Sequence, residues 1–165
     1  MLPLVHEPLD PKIHDRKGFT SGAPMQDAYI QRYAAQHQKS GLAQTYVLVP
    51  GDDRKSIIAY YTLSMAQVGN TELSAADRKK FGRYPVPAVR IGQLAVAKRH
   101  QGKRFGQLAI AKAIEIILQT RTRIGTAMVI VELDSADPKL FGFYKQLGFK
   151  PSTEYALRFY LPLGT

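Results

Sequence analysis

The residues best suited to chemistry lie between Leu94 and Gly106, where an apolar strand-like segment ends in a basic turn and an apolar helix begins. A helix N-terminus presents unpaired backbone N–H groups and the positive end of the helix dipole. Four cations stand in this turn: Lys98, Arg99, Lys103 and Arg104. The combination predicts binding of a phosphate-bearing ligand. It lacks the full pattern of a nucleotide P-loop or a dinucleotide site, and a plain basic turn is the alternative.

The positive charge of the chain is concentrated in one segment. The formal net charge is +10, and residues 78–114 hold ten Lys or Arg and no Asp or Glu, while the remaining 13 basic residues balance the 13 acidic ones. Such clustering predicts a surface that attracts polyanions, either a phosphorylated cofactor or a nucleic acid. A solvated face that only aids solubility is the alternative. The candidate contacts to a nucleic acid are Arg78, Arg83, Arg90, Lys98 and Arg99.

Composition excludes several classes of protein. The 165 residues contain no cysteine, so disulfides, thiolate zinc sites and a cysteine nucleophile are excluded. The four histidines lack metal-ligand spacing, and we expect no metal. Neither a signal-peptide layout nor an apolar run of the roughly 20 residues that span a bilayer is present. We therefore expect a soluble, cytoplasmic protein with one domain over residues 1–165 and no membrane association.

Hydrophobic periodicity and turn residues predict an α/β fold with helices on both faces of a mixed sheet. Ser74 opens a short helix through a capping box, and Gly148 ends a late one. The predicted elements in order are a helix over 24–39, strands over 45–49 and 57–65 joined as a hairpin, the Ser74 helix, an extended arm over 84–87, a strand over 88–97, a helix over 105–121, a strand over 127–133, a helix over 137–147 and a strand over 155–161.

Two motifs resemble the GCN5-related N-acetyltransferase (GNAT) superfamily. The stretch Gln101-Gly102-Lys103-Arg104-Phe105-Gly106, between a strand and a helix, is similar to its pyrophosphate loop, although Arg104 stands where that loop has its central glycine. The stretch Phe143-Tyr144 followed by Gly148-Phe149 resembles the C-terminal GNAT motif. The resemblance implies a mostly antiparallel mixed sheet with splayed middle strands.

The similarity extends to one GNAT branch, the acetyltransferase toxins of type II toxin–antitoxin systems. Its members acetylate the amino group of aminoacyl-tRNA and stop translation. The resemblance implies acetyl-CoA as cosubstrate, a ribbon-helix-helix antitoxin as partner and a homodimer. The segments that carry it are Phe19-Thr20-Ser21-Gly22, Tyr29-Ile30-Gln31-Arg32-Tyr33-Ala34, Thr45-Tyr46-Val47-Leu48-Val49, Tyr60-Tyr61-Thr62-Leu63-Ser64 and Arg83-Tyr84-Pro85-Val86-Pro87-Ala88-Val89.

The resemblance implies a role for each site residue. The backbone of Leu94 and Val96 would bind the pantetheine arm, although both also suit an ordinary buried strand. The N–H groups of residues 102–106 would hold the pyrophosphate, with side-chain contacts from Gln101 and Lys103. Arg104 would rearrange the loop and reach a phosphate directly. The cofactor-binding candidates are thus Leu94, Val96, Gln101, Gly102, Lys103, Arg104, Phe105, Gly106 and, where the superfamily often places an Asn, Asp137.

Tyr144 is the candidate general acid, because a phenol stays protonated at neutral pH and can supply a proton to a departing thiolate. Its spacing from Leu140 and Leu147 also suits plain core packing. No carboxylate stands out as a general base. An α-amine titrates near 8 and is partly neutral at pH 7, so an ordered water suffices for an aminoacyl acceptor.

Three functions follow in order of preference. The first is a CoA-dependent toxin that acetylates charged tRNA. The second keeps the enzyme and changes the acceptor to a protein N-terminus or a small amine. The third is a non-catalytic nucleic-acid-binding module. The positive charge favours this function, although no recognised nucleic-acid motif is present.

Overall fold

The computed structural model describes residues 3–164, and these form a seven-stranded sheet in the order β1-β2-β3-β4-β5-β7-β6. Strands β4 and β5 run parallel, whereas β1 with β2, β2 with β3, β5 with β7 and β6 with β7 are antiparallel. The expected mixed, mostly antiparallel sheet is therefore confirmed. The strands are β1 (Leu4–Pro8), β2 (Gln44–Pro50), β3 (Ala59–Val68), β4 (Val86–Val96), β5 (Met128–Glu132), β6 (Lys150–Pro151) and β7 (Arg158–Pro162).

The helices begin and end at the residues that their capping chemistry favours. Ser74 accepts a hydrogen bond from the Asp77 N–H and so caps α3, as its sequence predicts. Gly41 follows α2 in the left-handed conformation (φ 80°), which ends a helix at little conformational energy because glycine has no Cβ. The helices are α1 (Pro24–Ala28), α2 (Ala34–Ser40), α3 (Ala75–Phe81), α4 (Phe105–Thr120) and α5 (Pro138–Gln146), with a π-helical turn over Tyr29–Tyr33 and 3₁₀ turns over Asn70–Glu72 and Lys98–His100.

The described chain divides into two compact units. The first unit comprises the residues up to Ser64 together with Gly92–Glu115, and the second comprises Met65–Ile91 and the residues from Ile116 onward. The expectation of a single domain over residues 1–165 stays a prediction.

Both faces of the sheet in the first unit are covered. Val47 and Val49 of β2 pack with Ile30 and Ala34, which belong to the π turn and α2. Tyr46, which alternates with them, stacks on the ring of His6 on the other face, at 5.4 Å between centroids. The charged groups of Lys112 and Glu115 on α4 act on this histidine, so α4 lies on that second face.

The second unit repeats this arrangement. Tyr160 of β7 packs with Leu73 and Met128 on the face that carries α3. Phe159, the preceding residue, points to the other face, where its ring lies 5.2 Å from that of Phe141 on α5. Because side chains alternate along β7, one strand packs against two helices on opposite faces of the sheet.

Some elements differ from the sequence-based expectations. Strand β1 and the two-residue β6 were not predicted, and the helix expected over 24–39 contains the π turn at Tyr29–Tyr33. The arm expected over 84–87 joins β4, which begins at Val86. The hairpin between β2 and β3, the start of α4 at Phe105 and the start of α5 beside Asp137 agree with the predictions.

Candidate active site

The basic turn before α4 adopts left-handed backbone at two positions. Gly102 has φ 81° and Arg104 has φ 66°. Arg104 is the one non-glycine residue with positive φ among residues 3–164. A side chain raises the energy of this conformation by about 1–2 kcal/mol. The loop therefore keeps the backbone shape that a central glycine would adopt, although an arginine occupies the position.

This backbone leaves a series of amide groups unpaired. Within the described residues, the N–H groups from Gly102 to Gln107 have no protein acceptor, and the first pairing of α4 is from Leu108 N–H to Arg104 C=O. They precede and open a 16-residue helix, whose dipole favours an anion at this end. Lys103 and Arg104 are exposed beside them. The loop thus fits a diphosphate, which needs several donors and positive charge.

Gln101 supports the loop from within the protein. Its side-chain Nε2 donates to the Ser21 carbonyl at 2.7 Å and to the Val96 carbonyl at 3.0 Å. These two hydrogen bonds use the donors of the amide, so the group that remains is an acceptor and does not suit a phosphate. We infer that Gln101 holds the loop in shape, whereas its sequence position had suggested a direct phosphate contact.

Strand β4 changes the direction of its backbone groups before the loop. The Pro87 carbonyl accepts from the Ala127 N–H, so the backbone groups of odd-numbered residues here face β5. Farther along, odd-numbered residues face the β3 side instead. The Gln93 N–H donates to the Thr62 hydroxyl, and the Ala97 N–H donates to the Ile58 carbonyl. We infer a β-bulge near Gly92, since one extra residue exchanges the two sides.

The bulge determines where Leu94 and Val96 direct their backbone groups. Both are half-buried, and after the bulge their N–H and C=O groups face away from β3. The parallel register of β4 with β5 ends at the pair Ile91–Val131, five residues before β4 itself ends. The Val96 carbonyl accepts from Gln101 Nε2, so the groups left to bind an extended amide-containing ligand such as pantetheine are those of Leu94 and the Val96 N–H.

Lys98 and Arg99 lie on the first unit beside a cavity of about 440 Å³. The buried side chains of Phe19 and Ile57 contribute its apolar wall. The guanidinium of Arg99 donates to the Ser56 hydroxyl and to His100 Nε2. Neither cation forms an ion pair among the described residues, so no carboxylate compensates either charge.

Tyr144 is buried on α5 in the second unit, with 5% of its surface exposed. Its ring contacts Phe149 edge-on at 5.5 Å and Phe159 at 6.4 Å between centroids. Burial, followed by the Asp134 carboxylate, raises the pKa of the Tyr144 phenol well above its ordinary value. The hydroxyl therefore stays protonated throughout the neutral range and is available as a proton donor.

Asp137 has a structural role at the start of α5. Its Oδ1 accepts from the Lys139 N–H at 3.0 Å, and Pro138 follows as the first helical residue. This is the geometry of an N-cap. The carboxylate is also negative, which is unfavourable beside a diphosphate. We therefore omit Asp137 from the proposed cofactor contacts.

The candidate nucleic-acid contacts of the second unit differ in availability. Arg83 is exposed, and the Arg78 guanidinium donates only to neutral groups, including the Leu73 carbonyl at 3.0 Å, so both charges remain uncompensated. Arg90 instead pairs with Glu132 at 3.1 Å. The same Glu132 oxygen pairs with Arg158, which also pairs with Glu72, so the two arginines and two glutamates compensate one another. We therefore omit Arg90 from the proposed contacts. Lys79 and Lys80 of α3 are exposed and take its place.

Sequence reasoning missed the bulge and the support that Gln101 gives the loop. Gly92, an isolated glycine inside a strand pattern, is a known signal for a bulge and could have indicated it. No local signal indicates that Gln101 reaches Ser21, because that contact joins residues 80 positions apart. Among residues 3–164, no group of three His, Cys, Asp or Glu is arranged to hold a metal ion, and no helix is long and apolar enough to cross a membrane.

Comparison with known families identifies the class of protein to which this fold and its anion-binding loop belong. Residues 14–149 match the Acetyltransferase (GNAT) family. The chain therefore belongs to the GNAT acetyltransferase family.

Curated relatives and solved structures share most of the chain. A probable toxin TacT of Sinorhizobium fredii is 26% identical over 165 positions, covering 96% of this chain and 91% of the relative. A tRNA-acetylating toxin of Mycobacterium tuberculosis is 24% identical over 138 positions, covering 84% and 81%. AtaT complexed with acetyl-methionyl-tRNAfMet superposes with TM-score 0.88 at 23% identity, covering 97% and 95% of the two chains. AtaTR bound with acetyl-CoA gives TM-score 0.81 at 25% identity, covering 96% and 93%.

Proposed function

We propose that this protein is an acetyl-CoA-dependent N-acetyltransferase that modifies the amino group of aminoacyl-tRNA and thereby blocks translation. The observation that carries the proposal is the loop before α4, where unpaired N–H groups from Gly102 to Gln107 stand beside uncompensated cations. Membership of the GNAT family supplies the reaction class. The relatives described as a tRNA-acetylating toxin and a probable toxin support the acceptor.

The residues of the first unit would bind the cosubstrate. Acetyl-CoA, when bound, supplies an acetyl thioester and a thiolate leaving group. The N–H groups of residues 102–106 and the charges of Lys103 and Arg104 would hold its diphosphate. The backbone groups of Leu94 and the N–H of Val96, which the bulge in β4 turns away from β3, would pair with the amides of the pantetheine arm. An N–H group in this stretch would also polarise the thioester carbonyl.

Tyr144 would complete the transfer by proton donation. The acceptor amine attacks the carbonyl carbon, the C–N bond forms and the C–S bond breaks. The Tyr144 hydroxyl delivers its proton to the departing sulfur, and the phenolate regains a proton from the newly acylated nitrogen through water. Burial disfavours the phenolate both when it forms and while it persists, so the hydroxyl is restored in each turnover.

The charge distribution supports a polyanionic acceptor. We define two groups of exposed cations: the loop cations Lys98, Arg99, Lys103 and Arg104 of the first unit, and the helix cations Arg78, Lys79, Lys80 and Arg83 of the second. A phosphorylated cofactor uses only part of this charge. The remainder favours the phosphate backbone of tRNA, with an affinity that falls as salt rises. An aminoacyl α-amine, which is partly neutral at pH 7, also suits a site with no evident general base.

We further propose that the enzyme acts in the cytoplasm, where charged tRNA is found, as a homodimer neutralised by a ribbon-helix-helix antitoxin. The similarity to the toxin branch supports both assemblies. Both assemblies are tested by co-expressing the protein with the product of a small neighbouring gene, followed by size-exclusion chromatography with light scattering. A monomeric protein that binds no such product would contradict this part of the proposal.

The test of the acceptor compares four substrates with labelled acetyl-CoA: bulk aminoacyl-tRNA, the same tRNA after deacylation, a peptide with a free N-terminus, and a small amine. Label on charged tRNA alone, with a rate that falls steeply as salt rises, supports the proposal. Label on the peptide or the amine alone would reassign the acceptor. Absence of both transfer and acetyl-CoA binding would favour the non-catalytic nucleic-acid-binding function.

A further inference from the structure

A buried carboxylate anchors α3 to the edge of the sheet in the second unit. Asp77 is 7% exposed, and its Oδ2 accepts hydrogen bonds from Tyr160 Oη at 2.7 Å, Lys150 Nζ at 2.9 Å and Ser74 Oγ at 3.0 Å. The Ser74 N–H donates in turn to Tyr160 Oη at 2.9 Å. We call these four residues, Ser74, Asp77, Lys150 and Tyr160, the Asp77 hub. Donors from three elements therefore fix a single carboxylate.

The hub determines which side of α3 faces the solvent. Asp77 is the last acidic residue before the acid-free segment, and it is the one carboxylate of α3. With this carboxylate held inward, the exposed residues of the helix are free of negative charge, and Arg78, Lys79 and Lys80 occupy its last turn. The positions of the helix cations thus depend on a contact that lies beneath them.

The strands that hold Asp77 also pack against Tyr144. Lys150 and Tyr160 are register partners in β6 and β7, and both reach Asp77 on one face. Phe159, adjacent to Tyr160, contacts the Tyr144 ring from the other face. Phe149, adjacent to Lys150, also contacts that ring, and its N–H donates to the Tyr144 carbonyl at 3.1 Å. Each strand contact of Asp77 is therefore one residue away from a contact of Tyr144.

We propose that Asp77 is a positioning residue, which fixes the helix cations relative to Tyr144 through the strand pair β6–β7. This inference rests on the proposed function for the identity of the polyanion and goes beyond it in assigning a residue that touches neither substrate. The Asp77–Lys150 ion pair is a weak source of net stability, because the Lys150 side chain is half exposed and solvent screens its charge. The hydrogen bonds that converge on Asp77 specify one geometry. A helix that presents charge to a long substrate requires such a fixed geometry.

The first test compares Asp77→Asn with Glu154→Gln. Both variants remove one negative charge from the second unit, but Glu154 is exposed and lies outside the hub. The added net charge alone would strengthen polyanion binding and lower the KM for charged tRNA in both. If Asp77 positions α3, the KM for charged tRNA instead rises in Asp77→Asn by about 3- to 30-fold, the range for residues that couple distant groups. The KM for acetyl-CoA stays within about twofold.

The second test uses Lys150→Met, since this side chain is half exposed and its loss leaves Asp77 bonded to Tyr160 and Ser74. The KM for charged tRNA rises in the same direction by a smaller factor. The double variant with Asp77→Asn is no worse than Asp77→Asn alone, because both remove one interaction. Fully multiplicative effects would show that the two residues act independently and would overturn the proposal.

Hydrogen exchange supplies a readout that does not depend on activity. In Asp77→Asn and Lys150→Met, the amides of α3 and of residues 144–149 lose protection together, while those of the first unit are unchanged. Loss confined to α3, or kinetics of Asp77→Asn equal to those of Glu154→Gln, would refute the positioning role. If the unmodified enzyme fails to acetylate charged tRNA, the proposed function fails, and joint loss of protection still decides whether the hub links α3 to Tyr144.

Discussion

Replacing Arg104 with glycine separates the conformational cost of the loop from the contribution of its charge. Arg104 has φ 66° and an exposed side chain, so its removal loses little packing. Relief of the left-handed conformation stabilises the fold by about 1–2 kcal/mol, and the extra freedom of glycine in the unfolded chain offsets about 0.4–1 kcal/mol of this. We expect a net gain of about 0.5–1 kcal/mol, or about 2 °C in Tm for a chain of this length.

Two matched variants complete this comparison. Arg104→Ala keeps the Cβ, and with it the backbone strain, so its Tm stays close to that of the unmodified protein. Arg104→Lys keeps both the strain and a positive charge. Thermal unfolding without ligand measures the backbone effect. Titration calorimetry with acetyl-CoA measures the charge effect, for which Arg104→Gly and Arg104→Ala lose about tenfold in affinity and Arg104→Lys loses less.

The variants distinguish backbone strain from charge, because only Arg104→Gly relieves the strain and only Arg104→Lys keeps the charge. A Tm for Arg104→Gly at or below that of Arg104→Ala would refute the argument from backbone strain. Unchanged affinity in Arg104→Ala would refute a phosphate contact by the guanidinium, and the exposed N–H groups would then account for binding.

Three further predictions concern single side chains. Asp137→Ala removes the N-cap of α5 and is expected to lower the unfolding free energy by about 1 kcal/mol, with acetyl-CoA affinity in calorimetry unchanged; a large loss of affinity would restore the direct contact. Gln101→Leu removes the two hydrogen bonds that support the loop and should weaken acetyl-CoA binding about tenfold, whereas binding equal to that of the unmodified protein would show that the loop holds its shape without them. Burial, followed by Lys112, lowers the pKa of His6 despite the opposing Glu115, so its neutral form contributes stability above pH about 6.5 that is lost as pH falls through the folded-state pKa; urea unfolding of His6→Gln should show a weaker pH dependence below neutrality, and equal slopes would contradict this.

The elements around the site could be predicted because their signals are local. Ser74 and Gly148 mark helix ends through capping chemistry, and the apolar run after the basic turn identifies α4. Strand β1, by contrast, is a short segment ending in proline that becomes a strand only by pairing with β2, about 40 residues later. The π turn at Tyr29–Tyr33 likewise has no local signature, since its residues suit an ordinary helix.

The roles of individual site residues depend on contacts between segments that are distant in sequence. Residue type and position suggested that Gln101 and Asp137 contact the cofactor, but both side chains bond to the protein backbone. Arg90 belongs to the basic segment, yet Glu132 pairs with it from a strand that is distant in sequence. Local pattern indicates which chemistry a segment can perform, whereas the partner of each charge depends on tertiary pairing.

The proposed role of Tyr144 is to donate the proton in acetyl transfer to charged tRNA. The most direct measurement is the rate of label transfer from acetyl-CoA to bulk aminoacyl-tRNA by the unmodified enzyme, Tyr144→Phe and the control Tyr155→Phe, which removes the hydroxyl of an exposed tyrosine in the same unit. We predict that the unmodified enzyme and Tyr155→Phe label charged tRNA equally, and that Tyr144→Phe is at least about 100-fold slower with unchanged acetyl-CoA binding. An undiminished rate in Tyr144→Phe, or no label on charged tRNA with any of the three proteins, would contradict this role.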